Sequence, residues 1–253
     1  MVHFVGAGSG APDLITVRGA RLLKEADVVI YAGSLVNPAL LERCPAHCRI
    51  LNSARMTLEE VIGAIREAEN SGLMTVRLHT GDPSVYGAIR EQTDRLDELG
   101  IRYDVTPGVS SFCGAAAALN AEYTLPGVSQ TVILTRMAGR TPVPECESIA
   151  RLAEHGSSMA VFLSAGMLPR LQSELLKGAY TAETPAAIVY KASWPEEKKV
   201  RCTVGTLAAR AEENGIDRTA LVLVGAFLDM DYERSRLYDP AFTTGCREGR
   251  ENT

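Results

Sequence analysis

Short apolar runs alternate with amphipathic stretches through the first half of the chain. The runs have the length and largely apolar composition of buried strands, and the stretches repeat apolar residues three and four positions apart, as on one helix face. The predicted strands are residues 2–5, 26–31, 73–79 and 102–106, and the predicted helices are 14–25, 57–70 and 89–99. Strands that alternate with helices at this spacing predict a parallel or mostly parallel sheet.

The pattern breaks at residues 120–129 and a second set of elements follows. Strands are predicted at 130–135, 158–164, 186–190, 200–204 and 220–225, and helices at 145–154, 168–177 and 207–214. The chain therefore belongs to the α/β class with two α/β domains. The predicted division is an N-terminal domain 1–120, a linker 121–129, a C-terminal domain 130–245 and a polar surface tail 246–253.

The turn at residues 80–87 follows a predicted strand directly. It contains two glycines, a proline and Asp82, so its backbone turns sharply and can approach a ligand closely. Open α/β sheets bind small molecules at the carboxyl ends of their strands. The alternative is an ordinary strand-to-helix loop in which Asp82 caps the helix.

The first strand is followed by a second glycine-rich loop, which contains Gly6, Gly8 and Gly10. This spacing nearly satisfies the dinucleotide fingerprint G-x-G-x-x-G/A. However, the second strand ends at residues 31–34 with no carboxylate for a ribose, which argues against a nicotinamide dinucleotide. The glycines still permit close approach of a ligand.

Composition narrows the function classes. The 253 residues are 46% hydrophobic and 23% charged, which predicts a globular protein with a proper core. The formal net charge of −5 argues against a nucleic-acid partner. No apolar run approaches the ~20 residues that a membrane span needs, and the chain starts in a strand with no signal peptide, so a cytoplasmic protein is expected.

Six scattered cysteines indicate reduced thiols and no disulfide framework. The tightest cluster is Cys44, His47 and Cys48, but structural zinc would need a second pair of ligands, and none follows at a suitable spacing. No metal site is predicted. No Ser-His-Asp or Cys-His pair is apparent either, so the sequence assigns no catalytic residue.

Three signatures follow one another along the chain, at residues 6–16, 80–83 and 107–112. Together they resemble the tetrapyrrole methylases, which use S-adenosylmethionine (SAM), and the resemblance covers residues 2–247. The chain is most similar to the branch that methylates carbon 11 of precorrin-4, with or without cobalt, in cobalamin biosynthesis. The segments that indicate this branch are 31–37, 108–112, 134–144, 190–196 and 235–238. One departure is visible: the family's first loop commonly reads G-x-G-P-G-D, whereas this chain has Ser9 and Ala11.

The resemblance implies the class III methyltransferase fold, with two α/β/α domains, a ligand cleft between them, and a homodimer. SAM would bind in the cleft and leave as S-adenosyl-L-homocysteine. The residues implied at the cofactor are Gly81, Asp82, Val85, Ser110, Ser111, Ser164, Ala192, Thr219, Ala220 and Leu221. The residues implied at the macrocycle are Gly6, Gly8 and Ser9 of the first loop, with Arg136, Arg140 and Lys191 for its carboxylates.

Alternatives remain at the level of residues and of function. Ser110 and Ser111 could cap a helix, and the three cations could be solvated surface charges. A related methylase could act at another ring carbon, on RNA or on a protein histidine. A non-catalytic corrinoid- or SAM-binding protein is the alternative from a different class. Asp82 is interpreted as a structural or cofactor-facing residue and not as a general base.

Overall fold

The structure is a computed structural model that describes residues 1–229 and 231–250. Two compact units are present, as the sequence predicts. The first comprises Met1–Ala115 together with Lys191–Glu197, and the second comprises Ala116–Tyr190 and the described residues from Lys198 onward. The proposed linker 121–129 lies wholly in the second unit. Of the proposed tail 246–253, residues 251–253 lie outside the described residues.

The first unit is built on a five-stranded parallel sheet. Its strands are β1 (Val2–Gly6), β2 (Val28–Tyr31), β3 (Arg49–Asn52), β4 (Thr75–His79) and β5 (Tyr103–Thr106), in the order β3-β2-β4-β1-β5. Its helices are α1 (Val17–Glu25), α2 (Leu58–Asn70), α3 (Arg90–Glu98) and the first part of α4 (Ser111–Leu119). Because all five strands are parallel, their carboxyl ends, and the loops that follow them, share one sheet edge.

Both faces of this sheet are covered, which explains why its central strands are almost continuously apolar. Val5 and Leu78 pack on one face with Leu23 of α1. Phe4 packs on the other face with Ile65 of α2 and other buried residues. Helix α2 begins with a capping box, in which the Thr57 side chain accepts from the Glu60 N–H and the Glu60 carboxylate accepts from the Thr57 N–H.

Two local predictions in this unit differ from the structure. β3 was missed because it is an edge strand whose residues are largely exposed, so no apolar run identifies it. The helix expected at 14–25 begins only at Val17, where the Thr16 side chain accepts a hydrogen bond from the Gly19 N–H. Residues Pro12–Leu14 form a separate 3-10 turn.

The second unit has a mixed sheet. Its strands are β6 (Val132–Arg136), β7 (Ser158–Phe162), β8 (Pro185–Tyr190), β9 (Lys198–Thr203) and β10 (Ala220–Val224), in the order β6-β7-β10-β8-β9. Only the β6–β7 pair is parallel among these neighbours. Helices α5 (Ile149–Ala153), α6 (Leu168–Leu175) and α7 (Leu207–Glu213) complete the unit, with a core that includes Met159, Leu171, Ile188 and Leu207.

The connection between β8 and β9 is residues 191–197, which belong to the first unit. The sequence does not predict that this connection belongs to the first unit, because the pattern of β8 and β9 is that of an ordinary hairpin. Within the described residues, no helix is both long and apolar enough to cross a bilayer.

Candidate functional site

Three glycine loops meet at the carboxyl edge of the first sheet. Gly6 ends β1, and Gly81 and Gly108 follow the neighbouring strands β4 and β5. A Cβ on Gly108 would lie 2.1 Å from the Gly81 carbonyl oxygen and 2.7 Å from the Gly6 Cα. A Cβ on Gly6 would lie 2.5 Å from the Gly108 Cα. Only glycine therefore allows these backbones to approach so closely.

The first loop and the central turn are also joined through the backbone. Gly8 and Gly81 exchange hydrogen bonds of 3.2 and 2.9 Å, and the Ala7 N–H donates to the His79 carbonyl at 2.7 Å. Gly8 and Gly81 have φ angles of 84° and 61°, in the left-handed region that favours glycine. The turn at 80–87 thus lies where the sequence analysis placed it, at the end of a buried strand.

Asp82 holds the central turn to the loop after β5. Its Oδ2 accepts a hydrogen bond from the Gly108 N–H at 2.8 Å, and its Oδ1 accepts from the backbone N–H of Ser84 at 2.8 Å and from the Ser84 hydroxyl. Partial burial acts to raise the pKa of Asp82, but the hydrogen bonds from Ser84 and Gly108 lower it below the usual value. An ionised carboxylate with both oxygens engaged is suited to positioning and poorly suited to proton abstraction.

Ser110 and Ser111 lie at the start of α4, beside this turn. The Cα of Ser110 is 3.4 Å from the position that a Cβ on Gly81 would take. Ser110 is buried, and its carbonyl accepts from the N–H groups of Cys113 and Gly114. Val85 closes the other side of the turn by donating its N–H to the Asp82 carbonyl at 3.2 Å.

Segment 191–197 lies directly on the first glycine loop. The Ser193 hydroxyl is 2.9 Å from the Ser9 hydroxyl and accepts a hydrogen bond from the Ala11 N–H at 3.0 Å. The Ser193 N–H donates to the Glu197 carboxylate at 2.7 Å. Lys191 and Ser193 both have positive φ angles, 47° and 65°, which are uncommon for residues with side chains.

Trp194 packs where the first loop has no side chain. A Cβ on Gly10 would lie 2.1 Å from the Cδ1 atom of the Trp194 indole, so Gly10 makes room for the ring. The Lys191 Nζ lies 5.3 Å from the centroid of the same ring and 3.6 Å from Glu196. Gly114 of α4 likewise accommodates Ser9, whose side chain lies 2.7 Å from the place of a Cβ.

Sequence reasoning missed Ser193, Trp194 and Ser84 as parts of this arrangement. Two signals were available: Trp194 is the single tryptophan of the chain, and Ser9 and Ala11 mark the departure from the family's first loop. Neither signal identifies a contact between residues that are more than 180 positions apart.

His79 is a buried residue at the root of the central turn. It is 3% exposed, its ring stacks on Phe4 at 5.9 Å between centroids, and its Nε2 has no hydrogen-bond partner among the described residues. Burial, with the nearby Arg77 guanidinium, lowers the pKa of His79 to about 3. The imidazole is therefore neutral at physiological pH.

We expect His79 to make the fold acid-sensitive. Its folded pKa of about 3 lies below the ordinary value of 6.5, so the unfolded chain binds a proton that the folded chain excludes as the pH falls below 6.5. The free energy of unfolding should then fall by about 1.4 kcal/mol per pH unit from this residue alone. Urea unfolding of the wild type and of His79→Phe at pH 7.5, 6.5 and 5.5 measures the difference. Equal pH slopes for the two proteins would contradict the assignment.

The cysteine cluster noted in the sequence forms no metal group. Burial raises the pKa of Cys48 to about 12, with the neighbouring Cys44 and Asp27 adding to the rise. All six cysteines are free, and no group of three or more potential metal ligands converges within residues 1–229 and 231–250.

In the second unit, Ser164 joins two loops at the carboxyl ends of β6 and β7. Its side chain is fully buried, its hydroxyl donates to the Phe162 carbonyl at 2.7 Å, and it accepts from the Met137 N–H at 3.0 Å. Leu163, just before it, has a φ of 52° and is 65% exposed. Strained backbone of this kind concentrates at functional sites, although no sequence signal identifies Leu163.

The start of β10 lies at the same edge of the second sheet. β10 is antiparallel to β7, with Val222 paired to Val161, so residues 219–221 lie beside the end of β7. Thr219 has a φ of 52° and precedes the strand. The structure therefore brings Ser164 and residues 219–221 to one edge of the second sheet.

The three predicted cations have different surroundings. The Arg136 guanidinium donates to three backbone carbonyls, those of Met137, Thr141 and Pro142, at 2.8–3.2 Å, and so shapes the loop after β6. Arg140, in that loop, is exposed. Lys191 lies on Trp194 in the first unit.

Comparisons with known proteins agree with this architecture. The sequence profile of the tetrapyrrole (corrin/porphyrin) methylases matches residues 1–208. The cobalt-precorrin-4 C(11)-methyltransferase of Methanocaldococcus jannaschii is 52% identical over 242 residues, which cover 95% of this chain and 93% of that protein. Two solved structures are also similar.

The X-ray structure of a cobalamin biosynthetic enzyme, cobalt precorrin-4 methyltransferase, superposes with a TM-score of 0.89 at 46% identity, covering 90% of this chain and 96% of that one. Uroporphyrin-III C-methyltransferase from Thermus thermophilus, complexed with S-adenosylhomocysteine, has a TM-score of 0.73 at 26% identity, covering 92% and 95%. The fold class and the resemblance inferred from the sequence are thereby confirmed. The chain belongs to the tetrapyrrole (corrin/porphyrin) methylases.

Proposed function

We infer that the chain is a SAM-dependent methyltransferase that methylates carbon 11 of precorrin-4, or of its cobalt complex, to give the corresponding precorrin-5 in cobalamin biosynthesis. The observation that carries this conclusion is the 52% identity to a cobalt-precorrin-4 C(11)-methyltransferase over 95% of the chain. A match of this length spans both units.

The residues present fit SAM. A Cβ at Gly6 or Gly108 would collide with the backbone of a neighbouring loop, so the three loops pack backbone against backbone with no side chain of these glycines between them. SAM carries an amino-acid group, a ribose and a flat adenine, and backbone donors and hydroxyls suit all three. We propose contacts from Gly81, Asp82, Val85, Ser110, Ser111 and Ala192 in the first unit, and from Ser164, Thr219, Ala220 and Leu221 in the second.

When bound, SAM supplies an electrophilic methyl group on its sulfonium sulfur. The chain's own contribution is to hold and orient the reactants, since in-line displacement needs no covalent enzyme intermediate. Alignment of this kind can contribute several kcal/mol, up to roughly 7–11 in favourable cases. The hydrogen bonds that the Ser84 and Gly108 N–H groups donate to the Asp82 carboxylate fix the turn that performs this positioning.

The macrocycle is a flat ring fringed with carboxylates, and a chain of net charge −5 needs local cations to bind it. We propose that Lys191 and the exposed Arg140 supply this charge. Arg136 has its guanidinium engaged with carbonyls, so it supports the loop that carries Arg140. We also propose that Gly6, Gly8 and Ser9 of the first glycine loop face the macrocycle. A homodimer, which the family resemblance implies, is also part of the proposal.

Incubation with methyl-labelled SAM and a set of precorrin intermediates tests the function. We expect label in the macrocycle with precorrin-4 or cobalt-precorrin-4 as substrate, located at carbon 11 by NMR. Label at another ring carbon would indicate a related methylase. Label in RNA or protein, or binding of SAM without transfer, would overturn the proposal.

A further inference from the structure

Segment 191–197 combines two kinds of surface on one short loop. The Trp194 indole, which is partly exposed, offers an apolar aromatic ring, and Lys191 holds its ammonium group over that ring at 5.3 Å and 3.6 Å from the exposed Glu196 carboxylate. An aromatic face beside a cation matches a flat ring fringed with carboxylates, because the ring can stack and a carboxylate can pair with the ammonium.

The Ser193 side chain ties this surface to the first glycine loop. Ser193 stands between Lys191 and Trp194, and its hydroxyl contacts the Ser9 hydroxyl and accepts from the Ala11 N–H. Those two positions are where this chain departs from the G-x-G-P-G-D loop that is common in the family. A proline at position 9 has no hydroxyl to offer Ser193, so the contact depends on the departure.

The first glycine loop offers a ligand few side chains of its own. Gly8, Ser9 and Gly10 are all buried, and Ser9 is 7% exposed with its hydroxyl directed to Ser193. Side chains of segment 191–197, which connects β8 and β9, contact this loop: Ser193 lies at Ser9 and Trp194 at Gly10.

We propose that segment 191–197 selects the macrocycle: Trp194 and Lys191 contact it, and Ser193 is the positioning residue that holds them on the first glycine loop through Ser9. This inference rests on the proposed function and specifies which residues recognise the substrate. Ser193 acts on substrate affinity, and the methyl-transfer step does not depend on it.

Trp194 makes the proposal measurable without turnover, because it is the only tryptophan in the chain. Cobalt-precorrin-4 is titrated into the protein in the presence of S-adenosylhomocysteine, with N-acetyltryptophanamide as the control for light absorption by the ring. In the wild type, saturable quenching of Trp194 emission is expected and gives the macrocycle Kd. Quenching no greater than that of the control would overturn the proposal.

The variants Ser193→Ala, Ser9→Ala and the double variant separate positioning from folding. Ser193→Ala should raise the macrocycle Kd and KM about fivefold to tenfold, as expected for loss of a partly buried hydrogen bond, with kcat and the SAM KM within about twofold of wild type. The double variant should match Ser193→Ala, because Ser193→Ala already removes the contact between the two hydroxyls that Ser9→Ala removes. Ser71→Ala, which removes an exposed hydroxyl bond to Glu67 at the end of α2, is the matched control and should leave both constants unchanged.

A purely structural role predicts something else: a lower melting temperature for Ser193→Ala with an unchanged macrocycle Kd and KM, and that result would overturn the inference. Trp194→Phe should raise the macrocycle KM while leaving SAM affinity by calorimetry intact. Failure of the proposed function would look different, because the wild type would then transfer no label to precorrin-4 at all.

Discussion

Replacing Asp82 by alanine is expected to weaken SAM binding about 100-fold, since each hydrogen bond to a charged group contributes about 1.5–3 kcal/mol and this carboxylate accepts several. Its Oδ2 accepts from the Gly108 N–H, and its Oδ1 accepts from Ser84. Without it, the central turn and the loop after β5 lose the side-chain bond that joins them. Both loops contribute proposed cofactor contacts, so their relative position should decide affinity.

Isothermal titration calorimetry with SAM measures this effect directly. Asp82→Asn keeps one acceptor oxygen and should give an intermediate Kd, which separates geometry from charge. Asp94→Ala is the matched control, because Asp94 is an exposed carboxylate whose partner is Arg90, one turn away on α3. Near-normal SAM affinity for Asp82→Ala would show that the turn keeps its shape without the carboxylate, and the assignment would fail.

Gly108→Ala should destabilise the fold by at least about 3 kcal/mol, at the upper end of what overpacking costs. The new Cβ would lie 2.1 Å from the Gly81 carbonyl oxygen and 2.7 Å from the Gly6 Cα, and both are backbone atoms that cannot rotate away. Strand β1, which ends at Gly6, and strand β4, which precedes Gly81, are central in the sheet, so any relief must move the sheet edge. SAM affinity of the folded fraction should fall as well.

Urea unfolding gives the comparison, with Gly63→Ala as the matched control. Gly63 lies inside α2 with no atom within 4 Å of an added Cβ. That substitution should stabilise the protein by about 0.5–1 kcal/mol, because alanine favours the helix over glycine. If Gly108→Ala unfolded at the same urea concentration as the wild type, the close approach of the three loops would be refuted.

Most of the helices and strands were predicted from local sequence patterns. The amphipathic stretch at residues 57–70 identified α2, and the apolar run at residues 73–79 identified β4, because both signals lie within a few adjacent residues. Strand β3 was not predicted, because an exposed edge strand has no apolar run. The mixed order of the second sheet was not predictable either, since strand direction depends on which strands pair and not on their composition.

The sequence by itself determined the α/β class, the two units, the glycine turns at strand ends and the family. Each of these features can be recognised from short, contiguous motifs, because the conformations that such motifs require depend only on neighbouring residues. Only the tertiary structure decided that Gly6, Gly81 and Gly108 share one edge, that Asp82 bonds to Gly108, and that Ser193 meets Ser9. Such contacts depend on the pairing of strands distant in sequence and on an inserted segment, and these are set by how the whole unit buries its apolar surface.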